Sequence, residues 1–472
     1  MSNNFDIAII GSGIGGLTCG ALLAQKGKRV CIVEKHFQIG GCAQSFSRKG
    51  FTFDSSVHSA PMADDGFICS ILSELGIRND LEIIPYATTM QAVTPSSRFS
   101  YPRGIAKILQ QFRKNFPNDS DAIVAILNDM AIHLSTYKGN PGKDRQALVP
   151  SSMSYAEYIA SFISNVKLQA LFHTIWPFGG TSPAVAPLFN SLIFYVHALE
   201  GNHYIKGGFA KLAKALASVI IKNNGQIRTN WEVCSIRMGE PKQASSIVSV
   251  NGDSISATQF VSNISPYILH MSIIPEKSRS KLWLSRLGKL HPSISAFCVY
   301  CGIEGDASDI VENNILLWFS QDDHDAIYNR IISGPPDLID HLIIMRPPGE
   351  PGKNTLTFIY FTRHDAFDNW GSAREMLRDA ILLKAKSLFG DFSKRILVCE
   401  TATPKTIERY TGNTNGALYG FENVKELYGQ SKLPFTTHIS NIFQVGHWTK
   451  SGNGIYNVMA SAKETVAAIL NS

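Results

Sequence analysis

Near the start of the chain, Gly11-Ser12-Gly13-Ile14-Gly15-Gly16 has the spacing of a turn that cradles a diphosphate. In G-x-G-x-x-G the first glycine permits a tight turn. The second lets backbone approach the diphosphate, and the third lets a helix pack closely on a strand. The phosphate charge would rest on the N-terminus of the following helix, where free N–H groups and the helix dipole favour an anion. Glu34 ends the next apolar run. A carboxylate there can accept hydrogen bonds from ribose hydroxyls and would repel a 2′-phosphate. The chemistry is dinucleotide binding, and the turn alone does not separate a nicotinamide from a flavin.

The thiols offer a second candidate chemistry. Cys19, Cys31, Cys42, Cys69, Cys234, Cys298, Cys301 and Cys399 are scattered, with one close pair, Cys298-x-x-Cys301. That pair lies in the apolar, strand-like run Ile294–Ile303. A redox pair usually opens a helix, whose dipole lowers a thiol pKa, so inside a strand the two thiols read as core filling. No second pair or nearby histidine completes a zinc site, and no metal is expected. Residues 1–6 are mostly polar and the apolar stretch Ile7–Ile10 is too short for a secretory leader. Reduced thiols and a cytoplasmic location are therefore expected.

These residues must be positioned by elements that hydropathy periodicity makes visible. Asp6–Ile10 and Arg29–Glu34 are short apolar runs and Leu17–Gly27 has helical spacing, so the glycine turn sits in a βαβ unit. Residues 76–104 read as short strands and turns. Residues 105–175 read as helices, with a polar loop at Tyr137–Arg145. Gly207-Gly208 precedes a helix at Phe209–Asn223. Strands at Gln226–Ile236 and Ile247–Val250 follow, with a turn at Asn251-Gly252. Residues 290–305 and 354–362 are strand-like. Finally Ile442–Val445 leads through a glycine-rich turn into a helix, Ile455–Leu470. Both ends thus carry strand, glycine turn and helix. The simplest architecture is α/β, with a Rossmann-type domain from residues 1–75, 205–265 and 440–472. Residues 76–204 and 266–439 would form a discontinuous mixed α+β substrate domain.

Composition sets further bounds. The 472 residues are 44% hydrophobic and 17% charged, a globular balance. The net charge of +6 is spread along the chain. Its nearest approach to a patch, Arg103, Lys107, Arg113 and Lys114, reads as a solvated helix face, so no nucleic-acid partner is expected. No stretch reaches the ~18 consecutive apolar residues of a spanning helix. Ala184–Leu199, interrupted by Pro187, Asn190, Ser191 and His197, reads first as a buried helix and second as a helix dipping into a membrane surface. Trp176-Pro177-Phe178, Phe189, Phe194, Tyr195 and His197 would suit an apolar channel wall or an ordinary core.

Several ordered motifs resemble one superfamily. Ile39-Gly40-Gly41-Cys42-Ala43-Gln44-Ser45-Phe46 and Gly50-Phe51-Thr52-Phe53-Asp54 resemble the second flavin signature of the amine oxidase and phytoene desaturase superfamily. Tyr204-Ile205-Lys206-Gly207-Gly208 resembles its P-x-G-G, and Asn230–Ile236 its adenine-side strand. Thr403-Pro404, Arg409-Tyr410-Thr411-Gly412 and Gly416-Ala417-Leu418-Tyr419-Gly420 look most like the carotenoid isomerase and retinol saturase branch. Ile442-Phe443-Gln444-Val445-Gly446 with Gly452-Asn453-Gly454 is similar to the C-terminal flavin motif.

The resemblance implies FAD as cofactor. Gly11, Gly13 and Gly16 would hold the diphosphate, Glu34 the adenosine ribose and Val233 the adenine, with Ile14, Gly15 and Lys35 also cofactor-binding. Gly41 and Cys42 would lie along the cofactor, and Gly446, His447, Gly454 and Ile455 would border the ribityl chain and ring. Two residues depart from the family pattern: His447 stands where an acid is usual, and Ser56 where glycine is usual. His58 would be the catalytic side chain, donating a proton or polarising a substrate. Lys450 and Tyr456 flank the last turn as lesser candidates. The function implied is an FAD-dependent oxidoreductase or isomerase acting on a carbon–carbon double bond of a lipophilic, carotenoid- or retinoid-like substrate, with peripheral membrane contact. The alternatives are an amine oxidase-like or natural-product tailoring enzyme, or a non-catalytic lipid-binding protein of the dissociation-inhibitor type.

Overall fold

The computed structural model describes residues 4–139, 153–240, 242–335, 337–349, 352–427 and 432–472. Residues 140–145 of the expected polar loop lie outside them.

A first sheet of seven strands carries both ends of the chain. Its order is Val233–Met238, Ala244–Ser249, Ser254–Ser262, Asn4–Ile10, Val30–Val33 and Gln226–Arg228, with Ile442–Gln444 pairing the end of Ser254–Ser262. Asn4–Ile10 is parallel to both neighbours. Ile7 and Ile9 face one hydrophobic core while Ala8 and Ile10 face another. Burial on both faces is why this strand is continuously apolar instead of alternating. The helices Ile14–Gln25, Ala210–Lys222 and Gly454–Leu470 contribute Leu17, Leu216 and Met459 to the first of these cores.

The second seven-stranded sheet is ordered Ile396–Ala402, Ser295–Ile303, Asn354–Thr362, His341–Met345, Ile315–Phe319, Thr88–Val93 and Arg98–Pro102. Its pairings are antiparallel except that between Ile315–Phe319 and Thr88–Val93. Phe297, Val299, Cys301 and Ile303 pack with Trp370, Leu377 and Ile381 of the helix Trp370–Phe389. Ala296, Cys298 and Tyr300 point the other way and join the main core, as the two-residue period of a strand requires.

Helices Ile105–Asn115, Ser120–Gly139, Tyr155–Phe162, Val166–His173 and Asn190–Glu200 fill most of the interval before the second half of the first sheet. In Ile105–Asn115, Ile108 and Phe112 are buried while Lys107, Arg113 and Lys114 are exposed. The expected helix over Ala184–Leu199 is corrected: it begins only at Asn190, after Pro187. Ala186, Leu188, Phe189, Leu192, Phe194, Tyr195 and Ala198 are buried, and only Leu199 among its large apolar side chains is exposed. Most of this segment is core. Among the described residues no helix is long and apolar enough to cross a membrane.

Candidate active site

The first glycine turn is built as its spacing demands. Gly11 has φ +94°, which a side chain would strain. No side chain caps the helix that starts after Gly13, so its first N–H groups have no side-chain acceptor and suit an anion. Glu34 holds the turn from the neighbouring strand. One carboxylate oxygen accepts from the Ser12 N–H at 2.9 Å and the Ser12 hydroxyl at 2.6 Å, and the other from the His36 N–H at 2.9 Å. Three of a carboxylate's roughly four acceptor positions are thereby used, leaving capacity for a ribose hydroxyl.

The second signature packs directly on this turn. The Gly40 N–H donates to the Ser12 carbonyl at 3.0 Å. A Cβ on Gly41 would lie 3.1 Å from Gly13 Cα. Buried Asp54 ties the signature to the later glycine pair. It accepts from the Ser45 hydroxyl at 2.7 Å, the Tyr204 hydroxyl at 2.8 Å and the Phe209 N–H at 2.9 Å. Gly208 admits this strut, since a Cβ there would sit 2.8 Å from the carboxylate.

Asn263, at the end of Ser254–Ser262, is a site residue that sequence reasoning missed. Cβ atoms on Gly13, Gly15 and Gly446 would meet its side chain at 2.7, 2.7 and 2.6 Å. The glycines of both terminal turns therefore converge on one amide. Nothing in the local sequence of Asn263 signals this; only the adjacency of the strands does.

All these elements border one cavity which, with its mouth, spans about 2040 Å³. Gly11, Gly13, Ile14, Gly15, Glu34, Lys35, Gly41, Cys42, His58, Val233, Gly446, His447, Gly454 and Ile455 line it, as does Ser56. Gly16 is not part of that lining. It lies behind the wall, where a Cβ would collide with the Gly11 carbonyl oxygen, so it serves helix–strand packing. The aromatic stretch divides between the two readings. Pro177 and Phe178 reach the cavity, while Trp176, Phe189, Phe194 and Tyr195 are core residues. Lys450 and Tyr456 stand outside the lining; Lys450 lies over the Phe435 ring and Tyr456 against Phe67. Further lining comes from Tyr410, Thr411, Gly412 and Asn413.

One part of the wall is markedly apolar. Ala296 and Cys298, Ile359 and Phe361, and Ile343 and Met345 come in i, i+2 pairs from three adjacent strands of the second sheet. Leu418 and Tyr419 adjoin them. Cys298 is thus a wall residue and Cys301 a core residue. Burial pushes the Cys298 thiol up to about 12, and contact with the Cys399 thiol together with burial raises that of Cys301, so neither is poised for redox work.

Burial also governs the polar side chains of the wall. His58 falls to about 4, and its buried Nε2 has no hydrogen-bond partner among the described residues. His447 likewise falls to about 4, so both rings are neutral near pH 7. The Cys42 thiol is pushed up to about 11, chiefly by burial, which argues against a reactive thiolate beside the cofactor.

An uncapped helix start over a glycine cradle, an acceptor at Glu34 and an apolar wall in the same cavity suit a dinucleotide-dependent oxidoreductase with an apolar substrate. Residues 14–470 match the model of the flavin containing amine oxidoreductases, and the chain belongs to that family. Its cofactor is FAD, and the residues present fit it. The chain is 25% identical over 478 residues to human (Homo sapiens) all-trans-retinol 13,14-reductase, covering 89% of this chain and 77% of that protein. It is 24% identical over 498 residues to the 4,4′-diapophytoene desaturase of Staphylococcus aureus (strain COL), covering 98% and 97%. An oxidoreductase from Methanosarcina mazei has a similar fold, with TM-score 0.70 at 17% identity over 99% of this chain and 100% of that one.

Proposed function

We propose that this enzyme transfers hydride between FAD and a carbon–carbon double bond of a lipophilic polyene, so that the substrate is saturated, desaturated or isomerised. The observation that carries this reading is the paired apolar wall from three strands, Ala296, Cys298, Ile343, Met345, Ile359 and Phe361, in the same cavity as the glycine turns. A polyene has no hydrogen-bonding groups along its length, so its recognition rests on buried apolar area. The two curated relatives are named for the reduction of all-trans-retinol and the desaturation of diapophytoene.

Bound FAD supplies a two-electron hydride acceptor or donor. The chain positions the substrate and excludes water. His58 is assigned to orient it through the unpaired Nε2. Proton donation is a poor task for a ring whose pKa is about 4. Residues 1–75, 205–265 and 440–472 are assigned to the cofactor unit, since every strand of the first sheet comes from them. Residues 76–204 and 266–439 are assigned to the substrate unit. A polyene resides in lipid, so the enzyme is taken to meet membranes transiently. Liposome flotation tests this, and a protein that never floats would refute it.

The catalytic test uses the flavin itself. The holoenzyme is photoreduced without oxygen and offered retinoid- and carotenoid-length polyenes, while the oxidised form is offered their more saturated counterparts. Flavin oxidation or reduction coupled to a change in the polyene spectrum is expected. A flavin that responds to primary amines and to no polyene would move the enzyme to the amine oxidase reading.

A further inference from the structure

The flavin site pairs His447, which stands where an acid is usual in the resembling family, with a buried amide, Asn413. Asn413 precedes the short turn Thr414–Gly416 and is 6% exposed. The Trp448 indole nitrogen lies 3.1 Å from its Oδ1. An indole N–H can only donate, so the amide presents its oxygen there and not its nitrogen. The same oxygen lies 3.1 Å from His447 Nε2. An amide oxygen can only accept, so the hydrogen of the His447 ring sits on Nε2. A neutral imidazole with its hydrogen on Nε2 keeps a lone pair on Nδ1.

Independent contacts hold the amide in this orientation. Its Nδ2 donates to Cys42 Sγ at 3.6 Å, and the Asn413 N–H donates to the Thr411 hydroxyl at 3.1 Å. Trp448 is buried and packs edge-on against Phe421 and Tyr267, which fixes the donor that fixes the amide.

We infer that Asn413 is a positioning residue that presents His447 as a neutral hydrogen-bond acceptor toward the ribityl hydroxyls of FAD, in place of the acid the resembling enzymes carry there. The inference rests on the flavin reading of the site. The surroundings keep the ring uncharged. Burial alone accounts for its low pKa, and no charged side chain contributes. The titratable group facing the pair from the second signature is the Cys42 thiol, itself pushed up to about 11 and hence neutral. A carboxylate at position 413 would accept the same two hydrogen bonds. It would also favour the imidazolium, which has no lone pair. The amide, not merely an acceptor, is what the arrangement requires.

The test is FAD affinity of the full-length apoprotein, read by flavin fluorescence across roughly pH 5.5 to 8. Wild type should be nearly flat, because its ring titrates near 4. Asn413→Asp should bind FAD progressively more weakly toward the acid side, by roughly 3- to 10-fold. His447→Phe should weaken binding by a similar factor at every pH. His447→Asn, which keeps an acceptor near the Nδ1 position, should recover most of it. Nitrogen NMR of labelled histidine in the apoprotein should show hydrogen on Nε2 of His447 in wild type. Melting temperatures of the variants establish that each is folded. A pH-flat Asn413→Asp, or a His447→Phe that binds as tightly as wild type, would overturn the inference while leaving the flavin reading intact. A wild-type chain that takes up no FAD would refute both.

Discussion

Gly16 and Gly13 lie in one motif, yet the structure gives them different jobs, and alanine at each should separate those jobs. Neither residue has a positive φ, so backbone strain is not at issue. A Cβ on Gly16 would collide with the Gly11 backbone carbonyl and lie 3.2 Å from Asn263 Cβ. Backbone cannot rotate aside, so the helix Ile14–Gln25 must move off its strand. Overpacking of this kind costs about 1–3 kcal/mol. A Cβ on Gly13 meets only the end of a side chain, Asn263 Nδ2 at 2.7 Å. That amide can turn away, at the cost of one long hydrogen bond of 3.5 Å to Gly11, worth at most about 0.5–1.5 kcal/mol. Gly13, however, lines the cavity, and Gly16 does not.

Urea unfolding of the two apoproteins should therefore show Gly16→Ala clearly destabilised and Gly13→Ala close to wild type. Adding FAD at about 100 times Kd should stabilise wild type by a further ~2.7 kcal/mol. Gly13→Ala should lose most of that increment, because its methyl group occupies cofactor space. Gly239→Ala, where the nearest atom would be Ser245 Cβ at an ordinary 3.4 Å, is the control and should shift stability by less than about 0.5 kcal/mol. If Gly16→Ala unfolds with wild type, or if the two motif variants behave alike, the division between packing and cofactor glycines is wrong.

Other expectations follow from the same geometry. His58→Phe should retain FAD but lower kcat/KM on a polyene by roughly 5- to 100-fold, the loss of one substrate hydrogen bond; unchanged turnover would remove His58 from the site. Burial depresses His58, His173, His197, His270 and His447 to about 4 from 6.5. The unfolded chain then binds more protons below pH 6.5, so stability is complete above that pH and is lost as pH falls toward 4. Each histidine contributes a slope of up to about 1.4 kcal/mol per pH unit. A urea midpoint unchanged between pH 7 and about 5 would contradict this assignment of neutral rings. Thiol titration of the native protein should detect the exposed Cys234 and Cys399 promptly, and all eight cysteines after denaturation. Prompt reaction of Cys42 would contradict its raised pKa.

Much of the fold was legible because its signals are local. Glycines at fixed offsets, the apolar runs beside them and the acid at the end of the next run all report on backbone within one βαβ unit. The chain ends could likewise be read as matching strand–turn–helix segments. Motif resemblance extended this to FAD and to the glycine-rich part of the cavity lining. What the sequence left open has one physical source: it states that a side chain is apolar, not which of two buried surfaces it faces. Phe194 and Phe178 belong to the same aromatic stretch, but only Phe178 reaches the cavity. Cys298 and Cys301 look like a pair, but strand alternation sends them to opposite faces of a sheet. Ala184–Leu199 has the composition of either a membrane-surface or a core segment, and packing made it core.

Sequence alone determined the cofactor turn, the α/β class and the two positions, Ser56 and His447, where the family pattern is broken. Tertiary structure alone decided which side chains surround such positions, because their partners lie far away along the chain. Asn263 reaches the first glycine turn through strand pairing, and Asn413 meets His447, Trp448 and Cys42 through the packing of a surface turn against the cavity. Hydrogen-bond direction, tautomer and burial are properties of such assembled neighbourhoods, and no local pattern of residue types encodes them.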